Sequence, residues 1–214
     1  MMPAGLLERL KRSLLDLKID AAVEATDAII GDGTITIQEA VGAVAEALQT
    51  VGKRFQEGEW FLGELVYAAE ITKQTMDLLR PLMPAGASRQ LGTIVVGTVA
   101  GDLHDLGKNI FATYARSVGF EVMDLGVDVP KQTFAAAVTE HEPVALGMSC
   151  LLTTTSSQIG EVLEELKGRG IRDAVKIVVG GAALTEQFAR EVGVDAFAAD
   201  VVTGTEIIRR WSRP

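Results

Sequence analysis

The stretch GTVAGDLHDLGKNI, residues 97 to 110, gathers the groups best suited to chemistry: one of the chain's two histidines, with Asp102 and Asp105 beside it and glycines at 97, 101 and 107. An imidazole next to a carboxylate can move a proton, or bind a metal through one nitrogen while the carboxylate holds the other. Two further stretches share this polar, small-residue character. SCLLTTTS, residues 149 to 156, is rich in hydroxyls, and Gly180-Gly181-Ala182-Ala183 has almost no side chain. Singly, each reads as ordinary turn or capping chemistry. They become a site only if the fold brings them together.

The hydrophobic pattern says that it does. From residue 91 onward, apolar β-rich runs alternate with helical stretches. Strands are expected at Thr93–Thr98, Glu121–Leu125, Val144–Ser149, Lys176–Val179 and Ala196–Ala198. TIVVGT, VALGMS and KIVVGG are apolar throughout, as strands buried on both faces are. Five βα units imply an α/β fold: a flavodoxin-like, Rossmann-type five-stranded parallel sheet over residues 91–214, in the order 2-1-3-4-5. In that order the loops after strands 1, 3 and 4 are neighbours at the switch point, where such sheets bind ligands. Residues 1–84 instead show helical periodicity. Leu6, Leu10, Leu14 and Leu17 lie on one face, and three more helical runs end near Met83, giving an N-terminal four-helix bundle. A linker at 85–90, within PAGASRQ, separates the two parts.

Several ligand classes fail on spacing. Gly101 and Gly107 enclose five residues and Lys108 is followed by Asn109, so there is no phosphate-binding P-loop. The glycines do not form a dinucleotide fingerprint, and the third strand ends in Ser149-Cys150 where a phospho-receiver needs an aspartate. A metal held wholly by side chains is also disfavoured. His141 belongs to the amino end of strand 3, roughly 20 Å away at about 3.3 Å per residue. A metal carried in its own macrocycle needs one protein ligand, and His104 suffices. The net charge of -9 argues against nucleic acid and anionic membranes as partners. A single cysteine, no disulfide framework, and no apolar run of membrane-spanning length make the cytoplasm the expected compartment.

Asp102-x-His104-x-x-Gly107 after the first strand, Ser149-x-Leu151 after the third and Gly180-Gly181 after the fourth together resemble the cobalamin-binding domain of methionine synthase. They are still more similar to the small corrinoid proteins of methanol, methylamine and methoxyarene methyltransferase systems. VGKRFQEGEWFL, residues 51 to 62, resembles the motif of the helical cap that precedes that domain. The resemblance implies a cobalamin or related corrinoid cofactor with His104 as the lower axial ligand of cobalt. It implies that Asp102 binds the other imidazole nitrogen, with the Thr155 hydroxyl beyond it. Gly101, Leu103, Asp105 and Leu106 would contact the cofactor, and Gly107 would leave room for its nucleotide tail. Ser149, Leu151, Thr153, Gly180 and Gly181 would line a channel for the displaced nucleotide tail. Phe55, Phe61, Leu62 and Leu65 would cover the methyl-bearing face. Two positions depart from the pattern: Gly63 stands where relatives have proline, and Thr155 replaces a serine.

By that resemblance the chain is a methyl carrier rather than a self-sufficient enzyme. Its implied partners are a donor-specific methyltransferase, a second methyltransferase that passes the methyl to an acceptor such as tetrahydrofolate or a thiol, and a reductive activase. The alternative is a cobalamin-dependent sensor module. Such sensors usually add an output domain, whereas these N-terminal helices are used by the cap.

Overall fold

The computed structural model describes residues 3–83 and 91–212, so the expected linker lies outside the described residues. The chain divides into two compact units, Met1–Arg89 and Gln90–Pro214. The first contains helices α1 (Pro3–Leu15), α2 (Ile19–Asp32), α3 (Ile37–Gln56) and α4 (Leu62–Leu79). Their limits follow local chemistry. Gly33, in the left-handed conformation at φ 67°, ends α2. A reciprocal capping box opens α3: the Glu39 N–H donates to the Thr36 hydroxyl, and the Thr36 N–H to the Glu39 carboxylate. Helix α4 gives way to a 3-10 turn at Arg80–Leu82, where Pro81 lacks the N–H to continue it. Leu6, Leu10 and Leu14 meet Ala25, Ile29, Val44, Ala47, Ile71 and Leu79 in the core. This stripe of leucines facing alanines is the one the periodicity foretold.

The second unit carries strands β1 (Thr93–Thr98), β2 (Glu121–Asp124), β3 (Ala145–Ser149), β4 (Lys176–Gly180) and β5 (Ala196–Ala198). Helices α5 (Leu106–Ser117), α6 (Lys131–His141), α7 (Ser157–Gly168), α8 (Glu186–Val192) and α9 (Val201–Trp211) fill the crossovers. All pairings are parallel and the order is β2-β1-β3-β4-β5, as expected. Strand β2 stops one residue before the sequence suggests. The Leu125 N–H still bonds Val96, but Gly126 turns the chain at φ 86°.

Both sheet faces are covered, which is why the strands read as unbroken apolar runs. On one, Val95, Leu146, Met148, Ile177 and Val179 pack with Phe134, Val138, Ile159 and Leu163 of α6 and α7. On the other, Ile94, Val96, Ala145 and Val178 meet Ala112, Ala115 and Ile208 of α5 and α9. The register gives the second face a particular relief. At the carboxyl edge one rung reads Thr98, Ser149, Gly180, Ala198, and the next rung on the same face reads Val96, Gly147, Val178, Ala196. Small residues thus run inward from the edge.

Gly181, just past β4, has φ 125°, and a Cβ built there would overlap the Cys150 carbonyl. The loops after β3 and β4 approach this closely only because no side chain lies between them. Gly181→Ala is expected to cost roughly 2–3 kcal/mol, from forced separation of the loops and the unfavourable φ. A urea-unfolding midpoint equal to wild type would contradict this.

Candidate functional site

The loop between β1 and α5 is organised around Asp102, which is fully buried at 0% exposure. Its Oδ1 accepts the His104 backbone N–H at 3.0 Å and lies 2.7 Å from His104 Nδ1. Its Oδ2 accepts the N–H of Leu151 at 2.6 Å and of Leu152 at 3.3 Å, both from the loop after β3. Burial pushes this carboxyl up, but the N–H groups of His104, Leu151 and Leu152 and the His104 ring together outweigh it and hold the group below its ordinary value. An ionised Asp102 fixes the imidazole tautomer with the proton on Nδ1. The other nitrogen, Nε2, makes no hydrogen bond among the described residues. The His104 side chain is 52% exposed, so Nε2 carries an open lone pair at the carboxyl edge of the sheet.

Beside it, between the sheet and helices α5 and α9, runs an apolar slot of about 410 Å³. Gly147, Ser149, Gly180 and Gly181 line the sheet side; Gly107, Lys108, Phe111, Asp200 and Val201 line the helix side. The slot exists because side chains are missing. A Cβ at Gly147 would sit 3.1 Å from Val96 Cγ1, and one at Gly180 3.2 Å from the Ala198 carbonyl oxygen. Lys108 is buried in the wall, yet its Nζ meets both Asp124 oxygens, at 2.7 and 2.6 Å, and Asn109 Oδ1 at 2.7 Å. Its charge is therefore matched, as a buried lysine requires. Asp200 caps α9 by accepting the Thr203 N–H.

Residues 92–206 match the family model of a B12 binding domain, and residues 6–80 match a second B12 binding domain model. The chain belongs to the B12-binding family. It is 35% identical to "Trimethylamine corrinoid protein 1" of Methanosarcina acetivorans, over 92% of this chain and 94% of that one. A cobalamin-binding protein from Desulfitobacterium hafniense, solved by crystallography, is 36% identical with a TM-score of 0.82, covering 96% of this chain and 98% of that one. The methanol:cobalamin methyltransferase complex of Methanosarcina barkeri contains a chain 26% identical to this one, with a TM-score of 0.84, over 97% of this chain and 80% of that one. As a B12-binding protein, the chain takes a corrinoid cofactor.

The residues suit that group. A corrinoid carries most of its metal's ligands itself, and His104 Nε2 has the open lone pair that a further ligand would need. No cluster of three or more histidine, cysteine, aspartate or glutamate side chains that could hold a metal ion occurs among the described residues. Leu103, at 71% exposure, and the exposed Leu106, Leu151 and Leu152 lie in the two loops that meet at Asp102, a platform for a large apolar ring. Gly101 (φ 79°) and Asp105 flank this platform.

Four expectations meet a different arrangement. Thr155 does not bond Asp102: its hydroxyl donates to the Leu152 carbonyl at 3.0 Å and lies 3.3 Å from Cys150 Sγ. The backbone N–H groups of Leu151 and Leu152 occupy the oxygen meant for it. Leu151 and Thr153 face solvent outside the slot, because the segment after β3 turns away before α7 begins. Leu65 is fully buried and offers no covering surface. Phe61, at 77%, and Leu62 are exposed with Val66 and Tyr67, while Phe55 is half-buried. The sequence reading missed Gly147, Phe111 and Asp200 as slot residues. Gly147 carried a signal, a glycine inside an otherwise apolar strand.

The lowered Asp102 value has a consequence for stability. Because the ionised form is favoured in the folded state, its contribution is whole above the ordinary value of 3.8 and is lost as pH falls through the lower folded value. Asp102→Asn should cost about 2 kcal/mol at neutral pH, since an amide cannot accept from all these N–H groups. Denaturant titrations should show that gap narrowing below the ordinary carboxylate range; a gap that persists unchanged in acid would show that the charge is not what matters.

Proposed function

We propose that this chain is a methyl-carrying corrinoid protein working between two methyltransferases. The observation that carries this reading is the open Nε2 of a carboxylate-oriented histidine beside an apolar slot. The named relatives, corrinoid proteins of methylamine systems, favour a carrier over a sensor. When bound, the corrinoid supplies a cobalt centre able to accept and give up a methyl group; the protein supplies binding, orientation and shielding.

In this reading His104 Nε2 would hold the cobalt of the corrinoid, and Asp102 would keep the proton on Nδ1 and raise the basicity of the ring. The exposed Leu103, Leu106, Leu151 and Leu152 would support the macrocycle. The slot past Gly180 and Gly147 would hold the cofactor's nucleotide tail. The exposed Phe61, Leu62, Val66 and Tyr67 of the first unit would supply the apolar surface that shields the cofactor from water. A donor-specific methyltransferase, an acceptor-side methyltransferase and a reductive activase are the partners. Methanol or a methylamine suits the donor class, given the systems to which the relatives belong.

Reconstitution with hydroxocobalamin and desalting should leave a coloured protein holding one corrinoid per chain. A colourless product would overturn the reading. His104→Ala should change the visible spectrum and lower affinity by roughly tenfold or more, yet keep some corrinoid through the slot. Gly147→Val provides the complementary test. It should weaken cobalamin uptake while leaving uptake of cobinamide, which has no nucleotide tail, at the wild-type level. Equal loss of both ligands would mean that the slot does not hold the tail.

A further inference from the structure

The turn that follows β2 is laced to the histidine loop. The Thr98 N–H donates to the Gly126 carbonyl at 3.0 Å, and the Val129 N–H to the Thr98 carbonyl at 2.9 Å. Asp128 completes the connection from the tip of that turn. Its carboxylate Oδ1 accepts the Gly101 N–H at 2.6 Å, and its own N–H donates to the Asp102 carbonyl at 3.0 Å. These two bonds bracket Asp102: one fixes the residue before it, the other its own carbonyl. A single residue thus sets the backbone from which the buried carboxylate reaches His104.

Asp128 is also unusual in itself. It is one of three non-glycine residues with positive φ among those described, at 51°. It is exposed, so hydrophobic packing does not account for that conformation. Aspartate and asparagine tolerate the left-handed region better than other side chains, but it still costs free energy. Strained backbone of this kind persists where surrounding bonds over-determine it, often at functional sites. Here the over-determining bonds are the two to the histidine loop.

We propose that Asp128 is a positioning residue for His104, acting through the Gly101–Asp102 backbone to hold the imidazole in the orientation that presents Nε2. This rests on the reading of His104 as the axial ligand. Asp128 touches neither cofactor nor substrate. Its charge faces the Gly101 amide, so the bond is a charge-assisted one and stronger than a neutral equivalent.

Two substitutions in the full chain separate the possibilities. Asp128→Gly removes the carboxylate while relieving the positive φ, so it should fold at least as well as wild type. Asp128→Asn keeps an acceptor oxygen and the tolerance for that φ. Each variant is produced with heavy-nitrogen-labelled histidine, loaded with hydroxocobalamin and reduced to cobalt(II), and the axial-nitrogen splitting from the labelled imidazole, distinct from that of the cofactor's own base, is read by frozen-solution electron paramagnetic resonance. Hydrogen exchange at the Gly101 amide is measured on the corrinoid-free protein. Asp128→Gly should lower the ratio of nitrogen-split to unsplit signal by roughly tenfold, as losing an outer-shell partner does, and should speed Gly101 exchange. Asp128→Asn should stay within about twofold of wild type, since a neutral acceptor keeps much of the bond. Wild-type splitting and exchange in Asp128→Gly would overturn the proposal. So would a fall in melting temperature in both variants that tracks the loss of splitting, because the residue would then be a plain stabiliser. If wild type itself shows no nitrogen splitting, the axial-ligand reading fails, while the exchange data still decide whether Asp128 clamps the loop.

Discussion

A carboxylate without exposed surface must be surrounded by donors, and Asp102 draws its donors from two segments far apart in sequence. His104 comes from its own loop, whereas Leu151 and Leu152 lie about fifty residues further on, after β3. Burying that charge therefore requires β1 and β3 to be neighbours with their carboxyl ends together. A sheet ordered β2-β1-β3 provides this, because β1 is reached from both sides and the chain reverses direction across the sheet at that point. The same charge fixes the imidazole tautomer. Topology, loop closure and histidine orientation thus depend on one buried oxygen pair.

The two sheet faces show how one residue type serves opposite ends. Gly97 lacks a side chain because the ring of Phe134 fills the space: a Cβ would stand 2.7 Å from Phe134 Cε1. That face is closed core. On the other face Gly147 and Gly180 lack side chains and no aromatic ring replaces them, so the space remains as the slot. Glycine inside a strand weakens it, through lost packing and greater unfolded-state entropy. The stability missing from that face is offset elsewhere, in the densely packed side under α6 and α7 and in the contact of α5 with α9. There Gly204 lets the Phe111 ring come within 3.2 Å of where a Cβ would be.

Periodicity and turn residues made the architecture legible, because a parallel sheet buried on both faces leaves continuous apolar runs and a bundle leaves a repeating stripe. His104 and Asp102 were legible for a similar reason: their spacing within one short loop is itself the geometry. What stayed hidden depends on which way a backbone turns. Thr155 and Thr153 carry hydroxyls in the expected loop, but the chain after Ser149 aims them at Leu152 and at solvent. In a strand apolar on both faces, alternation cannot tell which face Gly147 serves. Leu65 follows Phe61 and Leu62 by one helical turn, and that small rotation is enough to carry it from the surface into the core. Asp128 reads as an ordinary turn residue until the partner of its carboxylate is known.

The separation of slot from histidine bears on what a carrier must do. If the axial bond alone held the cofactor, every change at the metal that weakened that bond would risk losing the cofactor. On the proposed reading, a tail seated between the sheet and α5 and α9 would keep the ring at high effective concentration, so that breaking one contact would leave the other in place. The bond from His104 would then be free to respond to the state of the metal. The imidazole can follow without large motion, because Asp102 holds its Nδ1 proton and the loop beneath is tied on both sides. On the proposed reading the protein's contribution would be two independent attachments, one made by shape and one by an imidazole that Asp102 orients.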